Sequence, residues 1–230
     1  MDEKRISYEI IDVAGDTNVM FRTSVDPGSY VPTHWHRAVE IIYMQEGELE
    51  VTVESRTFTI HADDCILVNG NVLHSTKCTA PNIAILLQIP LDFMEKYIPN
   101  LDQLMFLLDC HTTDPVKRTK QMMLKTILEQ LQIINDIRPD GYIMRFNGLI
   151  FELLFQLYHN FSVQVFQRDL SQKKKEMDRL NPVLTYIAQN YKRPISLDEI
   201  AEVACLQTGY FCRFFKRKIG VTFLEYQNEY

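Results

Sequence analysis

No apolar run in this chain is long enough to cross a bilayer, and its first residues, Met1-Asp2-Glu3-Lys4-Arg5, lead into a strand-like stretch instead of a signal-peptide core. Both absences point to a cytoplasmic protein. The five cysteines are odd in number and contain no C-x-x-C spacing, which argues against a disulfide framework or a thiolate metal cluster and for reduced, mostly buried thiols. Internal repeats and low-complexity tracts are missing too. Positive charge is in deficit, with 24 Lys+Arg against 30 Asp+Glu, and a net charge of −6 taken alone disfavours a nucleic-acid binder. What is present is a chain of 230 residues, 46% hydrophobic and 23% charged, enough to bury a real core in two domains. The charge is also uneven. From Ser171 onward there are 10 Lys+Arg against 7 Asp+Glu, a net of +3, whereas the preceding residues hold 14 against 23, a net of −9. Positive charge therefore gathers at the end that a nucleic acid would meet.

Up to about Ile89 the chain reads as short strands. Glu48-Leu49-Glu50-Val51-Thr52-Val53-Glu54 alternates, and Ile66-Leu67-Val68 and Ile83-Ala84-Ile85-Leu86-Leu87 are short buried runs bounded by turn residues, as in a sandwich or barrel. From Leu91 the period changes. Met122, Met123, Ile127, Leu131 and Ile134 recur at helical spacing, and so do Ile143, Phe146, Ile150, Leu153, Leu154 and Leu157 after the break Arg138-Pro139-Asp140-Gly141. The second of these helices, about Tyr142 to Phe161, is apolar over an arc wide enough to serve as a dimer face. Ser171-Gln172-Lys173-Lys174-Lys175-Glu176 makes a linker, and Asn181-Pro182 supplies a cap and first-turn proline for the next helix. The expected class is α+β: a β-barrel at 1–90, helices at 91–170, a linker at 171–180 and an all-α segment at 181–230.

That last segment reads as a helix-turn-helix. Ser196-Leu197-Asp198-Glu199 has the S-x-x-E form of a capping box, Ile200, Ala201 and Ala204 give the helix one apolar face, and Cys205-Leu206 makes the turn. In the following helix Tyr210, Phe211, Phe214 and Phe215 are expected to bury. Thr208, Gly209, Cys212, Arg213, Lys216 and Arg217 would then face outward as a polar, basic stripe suited to DNA.

On Leu197-Asp198-Glu199-Ile200-Ala201, Tyr210-Phe211-Cys212-Arg213-Phe214-Phe215-Lys216-Arg217, Gly220 and Tyr226, the segment from Asn181 to Tyr230 resembles the first half of the DNA-binding domain of AraC-family transcriptional regulators. Cys205 stands where the family usually has Gly, and Gln207 where a Ser usually caps the second helix. The family carries two helix-turn-helix units, and Tyr230 falls inside what would be the helix connecting them, so the resemblance implies an incomplete domain and weak DNA binding. It also implies base contacts at Gly209, Cys212 and Arg213, with Arg213 able to bond guanine, and phosphate contacts at Lys216 and Arg217.

Within the strand-rich part, His34-x-His36 places two imidazoles on one side of a strand with Trp35 on the other, and Glu40 shares their parity if the strand stays regular. The run from Gly28 through His34, His36 and Glu40 to Gly47 resembles the first cupin motif, and Asp63 to His74 the second, with Asp63, Asn69 and Asn71 where that motif prefers Gly, Pro and Gly. The cupin resemblance implies that His34, His36, Glu40 and His74 converge inside a barrel, where they would hold a divalent ion such as Zn, Mn, Fe or Ni, or bind a small effector directly. His61, His111 and His159 are read as surface or packing residues. The two resemblances together imply a homodimeric regulator that binds promoter DNA and senses a small polar metabolite, a sugar among the options, with no catalytic residue and no membrane contact. The competing readings are a metal-dependent cupin enzyme of the isomerase or dioxygenase type, and a ligand-binding or dimerisation module that does not bind DNA.

Overall fold

The computed structural model describes residues 7–13, 15–54, 56–165, 179–187, 189–219 and 222–229. Nine strands come first: β1 (Ser7–Tyr8), β2 (Met20–Asp26), β3 (Tyr30–Trp35), β4 (Ala38–Glu46), β5 (Glu48–Val53), β6 (Arg56–His61), β7 (Cys65–Val68), β8 (His74–Lys77) and β9 (Asn82–Pro90). They form two sheets, in the orders β1-β3-β8-β5-β6 and β2-β9-β4-β7. Strand β4 explains the layering. Its Val39, Ile41 and Tyr43 face one core, shared with the helices that follow; its Ile42 and Met44 face another, between the sheets, with Leu49, Val51, Ile60, Ile66 and Ala84. A strand buried on both faces reads as an almost unbroken apolar run. Glu40 interrupts that run and is 4% exposed.

After β9 come α1 (Leu91–Met94), a two-stranded pairing of β10 (Leu104–Phe106) with β11 (Ser162–Gln164), and two long helices, α2 (Pro115–Ile137) and α3 (Tyr142–Gln156). Asp114 caps α2 by accepting from the backbone N–H groups of Val116 and Lys117, and Pro115 occupies the first turn, where its missing N–H costs nothing. Arg138 and Gly141, both left-handed, reverse the chain between the helices. The buried face of α2 is Gln121, Leu124, Ile127, Leu128 and Leu131, so Met122 and Met123, although part of the helical spacing, point outward. A full stripe already fills the space against the sheet; Met122 lies almost on the opposite side of the helix from it and Met123 more than a quarter-turn from its centre. Helix α3 buries Phe146, Ile150, Leu153 and Leu154 as expected, adds Leu149, leaves Ile143 half-buried, and runs on as a π-helical turn from Leu157 to Phe161. Among the described residues no helix is long and apolar enough to cross a membrane.

The chain divides into two compact units: residues 11–31 with 36–165, and residues 166–230 with 1–10 and 32–35. Helices α2 and α3 thus belong with the strands, while the ends of the expected 1–90 barrel group differently, because Ser7 and Tyr8 of β1 pair in parallel with His34 and Trp35 of β3. The expected linker falls almost wholly outside the described residues. Residues 179–187 are helical. Since the helix is already formed at 179–180, Asn181 lies inside it and is not its cap, contrary to expectation. Then follow α4 (Leu197–Val203), α5 (Thr208–Ile219) and α6 (Phe223–Glu229), packed through Ile200, Ala201, Phe211, Phe214, Phe215, Phe223 and Tyr226.

Candidate functional site

His34, His36, Glu40 and His74 are all buried. His34, His36 and Glu40 do not share one strand, as simple parity suggested. Strand β3 ends at Trp35 and β4 begins at Ala38, so His36 sits in the break, where its carbonyl accepts from the Asn71 N–H and the Arg37 carbonyl from that of Leu91. Glu40 pairs across β4 with Gln88 of β9 on one side and Val68 of β7 on the other. One ring nitrogen of each histidine lies within 4.8 Å of the others. His36 Nε2 is 3.1 Å from Glu40 Oε2, His74 Nε2 is 3.7 Å from Oε1, and the His36 and His74 rings meet edge to face at 4.9 Å. Gln88, 2% exposed, donates to Glu40 Oε2 at 2.7 Å.

The electrostatics of this cluster follow from its partners. Each histidine places Nδ1 against a backbone carbonyl, that of Pro32 for His34, Ala38 for His36 and Val72 for His74, at 2.9, 3.1 and 2.9 Å. An Nδ1–H donated to a carbonyl leaves the lone pair on Nε2, which is the tautomer that binds a metal ion. A lone pair facing a carboxylate at 3.1 Å repels it unless a cation, proton or metal, lies between them. Burial by itself would raise the Glu40 pKa; hydrogen bonds and charge from His36 and His74 outweigh it and hold the carboxyl well below the ordinary range. The donor set, two or three imidazoles and one carboxylate with oriented rings, fits a divalent ion chemically.

The departures from the second cupin motif have a local explanation. Asp63 and Asn71 adopt positive φ, 70° and 63°, the left-handed conformation for which glycine is the default and which Asp and Asn tolerate best among other residues. Asn69 fixes its turn from the side chain, donating to the Phe106 carbonyl and accepting from the Phe106 N–H at 2.8 and 2.9 Å. Gly47 is required: at φ +80° a Cβ there would lie 2.7 Å from the Pro81 carbonyl oxygen. Of the remaining histidines, His61 is exposed, His159 stacks on Phe155, and His111 lines a cavity of about 650 Å³ with Arg118, Gln121 and Lys125. Burial pushes the Cys65 thiol up to about 12, so it stays protonated and unreactive.

In the second unit the capping box is complete: the Glu199 N–H donates to Ser196 Oγ at 3.2 Å, and the Ser196 N–H reaches Glu199 Oε2 at 3.4 Å. Glu199 also takes hydrogen bonds from Arg193 and Tyr186. Cys205 makes the turn at φ 52°, with the Leu206 N–H returning to the Ala201 carbonyl. On α5 the buried stripe is Phe211, Phe214, Phe215 and Ile219. Gly209, Arg213, Lys216 and Arg217 are exposed, and Thr208 and Cys212 half-buried. Tyr210, expected inside, is 44% exposed because it lies a quarter-turn off that stripe and joins the outward face. Thr208 is also tied to α4, its hydroxyl donating to Asp198 at 2.7 Å. Gly220 lies outside the described residues.

Two family models match this chain: the cupin domain over residues 21–90 and the bacterial regulatory helix-turn-helix proteins of the AraC family over residues 187–228. The chain is similar to the uncharacterized HTH-type transcriptional regulator YdeC of Bacillus subtilis, at 22% identity over 91% of this chain and 74% of that protein. It is also similar to the probable transcriptional regulator LumQ of Photobacterium leiognathi, at 26% identity over 82% of this chain and 68% of that one. Among solved structures, an RmlC-like cupin from Shewanella frigidimarina is 26% identical over 39% of this chain and 87% of its own, with a TM-score of 0.31. The chain therefore joins a cupin domain to an AraC-type helix-turn-helix domain in an α+β architecture.

Proposed function

We propose that this chain is a ligand-responsive transcriptional regulator in which the cupin pocket around Glu40 senses a small polar metabolite and helix α5 reads promoter DNA. One observation carries the reading. A chain with a buried, ready-made polar cluster in its barrel also presents an exposed basic stripe, Arg213, Lys216 and Arg217, on the second helix of a capped helix-turn-helix. A barrel enzyme has no use for that stripe. An effector must favour one arrangement over another, since only differential affinity for two states shifts their populations. Anisotropy titrations against promoter fragments test the DNA half: Lys216→Ala should weaken binding about equally on all sequences, and Arg213→Ala should relax preference at one base pair by about 1–3 kcal/mol. If both variants bind as the parent does, α5 is not the reader.

A divalent ion is the second element of the proposal, held by His34, His36, Glu40 and His74; when bound it would act as a Lewis acid that polarises an effector oxygen. Elemental analysis of unchelated protein should approach one ion per chain, and His36→Ala should remove it. An intact ligand response without metal would leave His36, Glu40 and His74 as direct ligand contacts. The third element is a homodimer through α3. Met144, Gly148, Phe151, Phe155 and Tyr158 are spaced four and three residues apart on its outward side, and the four large ones are exposed by 78, 43, 55 and 41%. That spacing suits the seam of a paired helix. Phe155→Glu should convert the dimer to a monomer in sedimentation; a parent that is monomeric at high concentration refutes it.

A further inference from the structure

Strand β2 places a cation on the pocket face of the barrel. Phe21 packs into the core shared with the helices and Thr23 accepts a hydrogen bond from Gln132 of α2, so their neighbours Met20, Arg22 and Ser24 face the other way. That is the face on which Leu86 and Ala84 of β9 meet Ile42 and Met44 of β4. The registers align Met20, Gln88 and Glu40 in one row across three strands, and Arg22, Leu86 and Ile42 in the row two residues along. Arg22 Cα is thus about 12 Å from Glu40 Cα, two strand spacings across and two residues along, and the long arginine side chain spans part of that gap.

Three other cations of this unit have a carboxylate or side-chain amide partner: Arg37 with Asp92 and Glu95, Lys125 with Asp63, Arg145 with Gln130. Arg22 is exposed and has no hydrogen-bond or ion-pair partner among the described residues. The acid nearest along its face, Asp26, is turned to Ser29 and the Gly28 N–H. Gln88 and the imidazoles are buried on the same face of the barrel, and Arg22 is the exposed cation of the neighbouring row.

Resting on the reading of this barrel as an effector pocket, we propose that Arg22 recognises a carboxylate and that the effector is a small organic acid anion. The planar guanidinium matches a carboxylate bidentately. The other end of the acid, a hydroxyl or carbonyl oxygen, meets Glu40, Gln88 and the histidines.

Calorimetric titration of the full chain with matched pairs tests this: galacturonate beside galactose, and lactate beside propane-1,2-diol. At least one acid should bind and its neutral partner bind about tenfold more weakly or worse. Arg22→Gln should remove that difference and leave any weak binding of the neutral member unchanged, with Arg22→Lys intermediate. Arg22 touches nothing that folding needs, so the variants should melt as the parent does. Equal binding of acid and neutral partner, acid binding unaffected by Arg22→Gln, or no binding by either acid at millimolar concentration overturns the proposal. Glu40→Gln separates the two levels: if it weakens binding while Arg22→Gln does not, the pocket stands and the carboxylate assignment falls. Binding indifferent to Glu40→Gln places the ligand elsewhere.

Discussion

Glu40 in the barrel and Glu199 in the helix-turn-helix are both held below the ordinary carboxylate range, by opposite routes. Glu40 is buried, and His36 and His74 must overcome the desolvation that burial imposes. Glu199, half-buried beside the exposed Arg193, is lowered to about 2 by hydrogen bonds from Arg193 and Tyr186 and by the Ser196 N–H. The direction is the same and the worth is not. Removing one partner of a buried charge cluster strands the others without water, whereas a partly exposed ion pair is screened and its loss is absorbed by solvent. Glu40→Ala should therefore destabilise the barrel by about 3–5 kcal/mol in denaturant melts, leaving the Gln88 amide and His36 without their acceptor. Glu199→Gln, which keeps the reach-back of the capping box, should move the midpoint little. Equal losses at the two positions would break the comparison.

The pH dependence sharpens it. A carboxylate whose folded pKa is depressed contributes stability above its ordinary value near 4.5, and that contribution is lost as pH falls through the folded value. The contribution of each carboxylate should thus be lost in acid. Glu40→Gln should flatten the acid limb of the barrel's unfolding curve while Glu199→Gln leaves that limb in place. An acid limb unchanged by Glu40→Gln would mean that other groups govern it.

Much of this arrangement is legible in the residues. The cupin spacing of His34, His36 and Glu40 announces that they come together, although the strand parity offered for it fails at the break after Trp35, and Ser196 to Glu199 announces a helix start, a local rule acting within a few residues. Gln88 is not legible in the same way. It lies 48 residues from Glu40 in the chain and joins it only through the β4–β9 register. The available signal is a lone amide inside Ile83-Ala84-Ile85-Leu86-Leu87-Gln88-Ile89, a strand otherwise apolar. Arg22 is hidden for the same reason, since its face is decided by what β9 and α2 put beside it. Met122, Met123 and Tyr210 follow the helical spacing yet point outward, because hydrophobicity says that a residue can be buried, while the width of the facing surface decides how many are.

A smaller effect separates caps from cores. Ser196→Ala removes the acceptor for the Glu199 N–H and should cost about 1 kcal/mol. The loss should be confined to the second unit, with the barrel's chelator and ligand responses unchanged. Hydrogen exchange resolves the two: amides of α4 should exchange faster and those of β4 at the parent rate. Faster exchange in both would show that the units unfold as one.

The smallest effect distinguishes left-handed residues in the two regions. Asp63 and Asn71 in the barrel and Cys205 in the helix turn all have positive φ, at 70°, 63° and 52°. Asp and Asn visit that region through local hydrogen bonding of a short polar side chain, whereas a cysteine has only the steric penalty, about 1–2 kcal/mol for an ordinary residue. Glycine relieves it but adds freedom to the unfolded chain, a loss of roughly 0.5–1 kcal/mol. Cys205→Gly should therefore stabilise the second unit by a few tenths to about 1 kcal/mol. Asn71→Gly should gain nothing or lose slightly, because the strain it removes is smaller and the entropy it adds is the same. Paired denaturant melts of the two variants decide it: a loss of stability at Cys205→Gly means that the thiol makes a compensating contact, and a gain at Asn71→Gly means that the barrel turn is as strained as the helix turn.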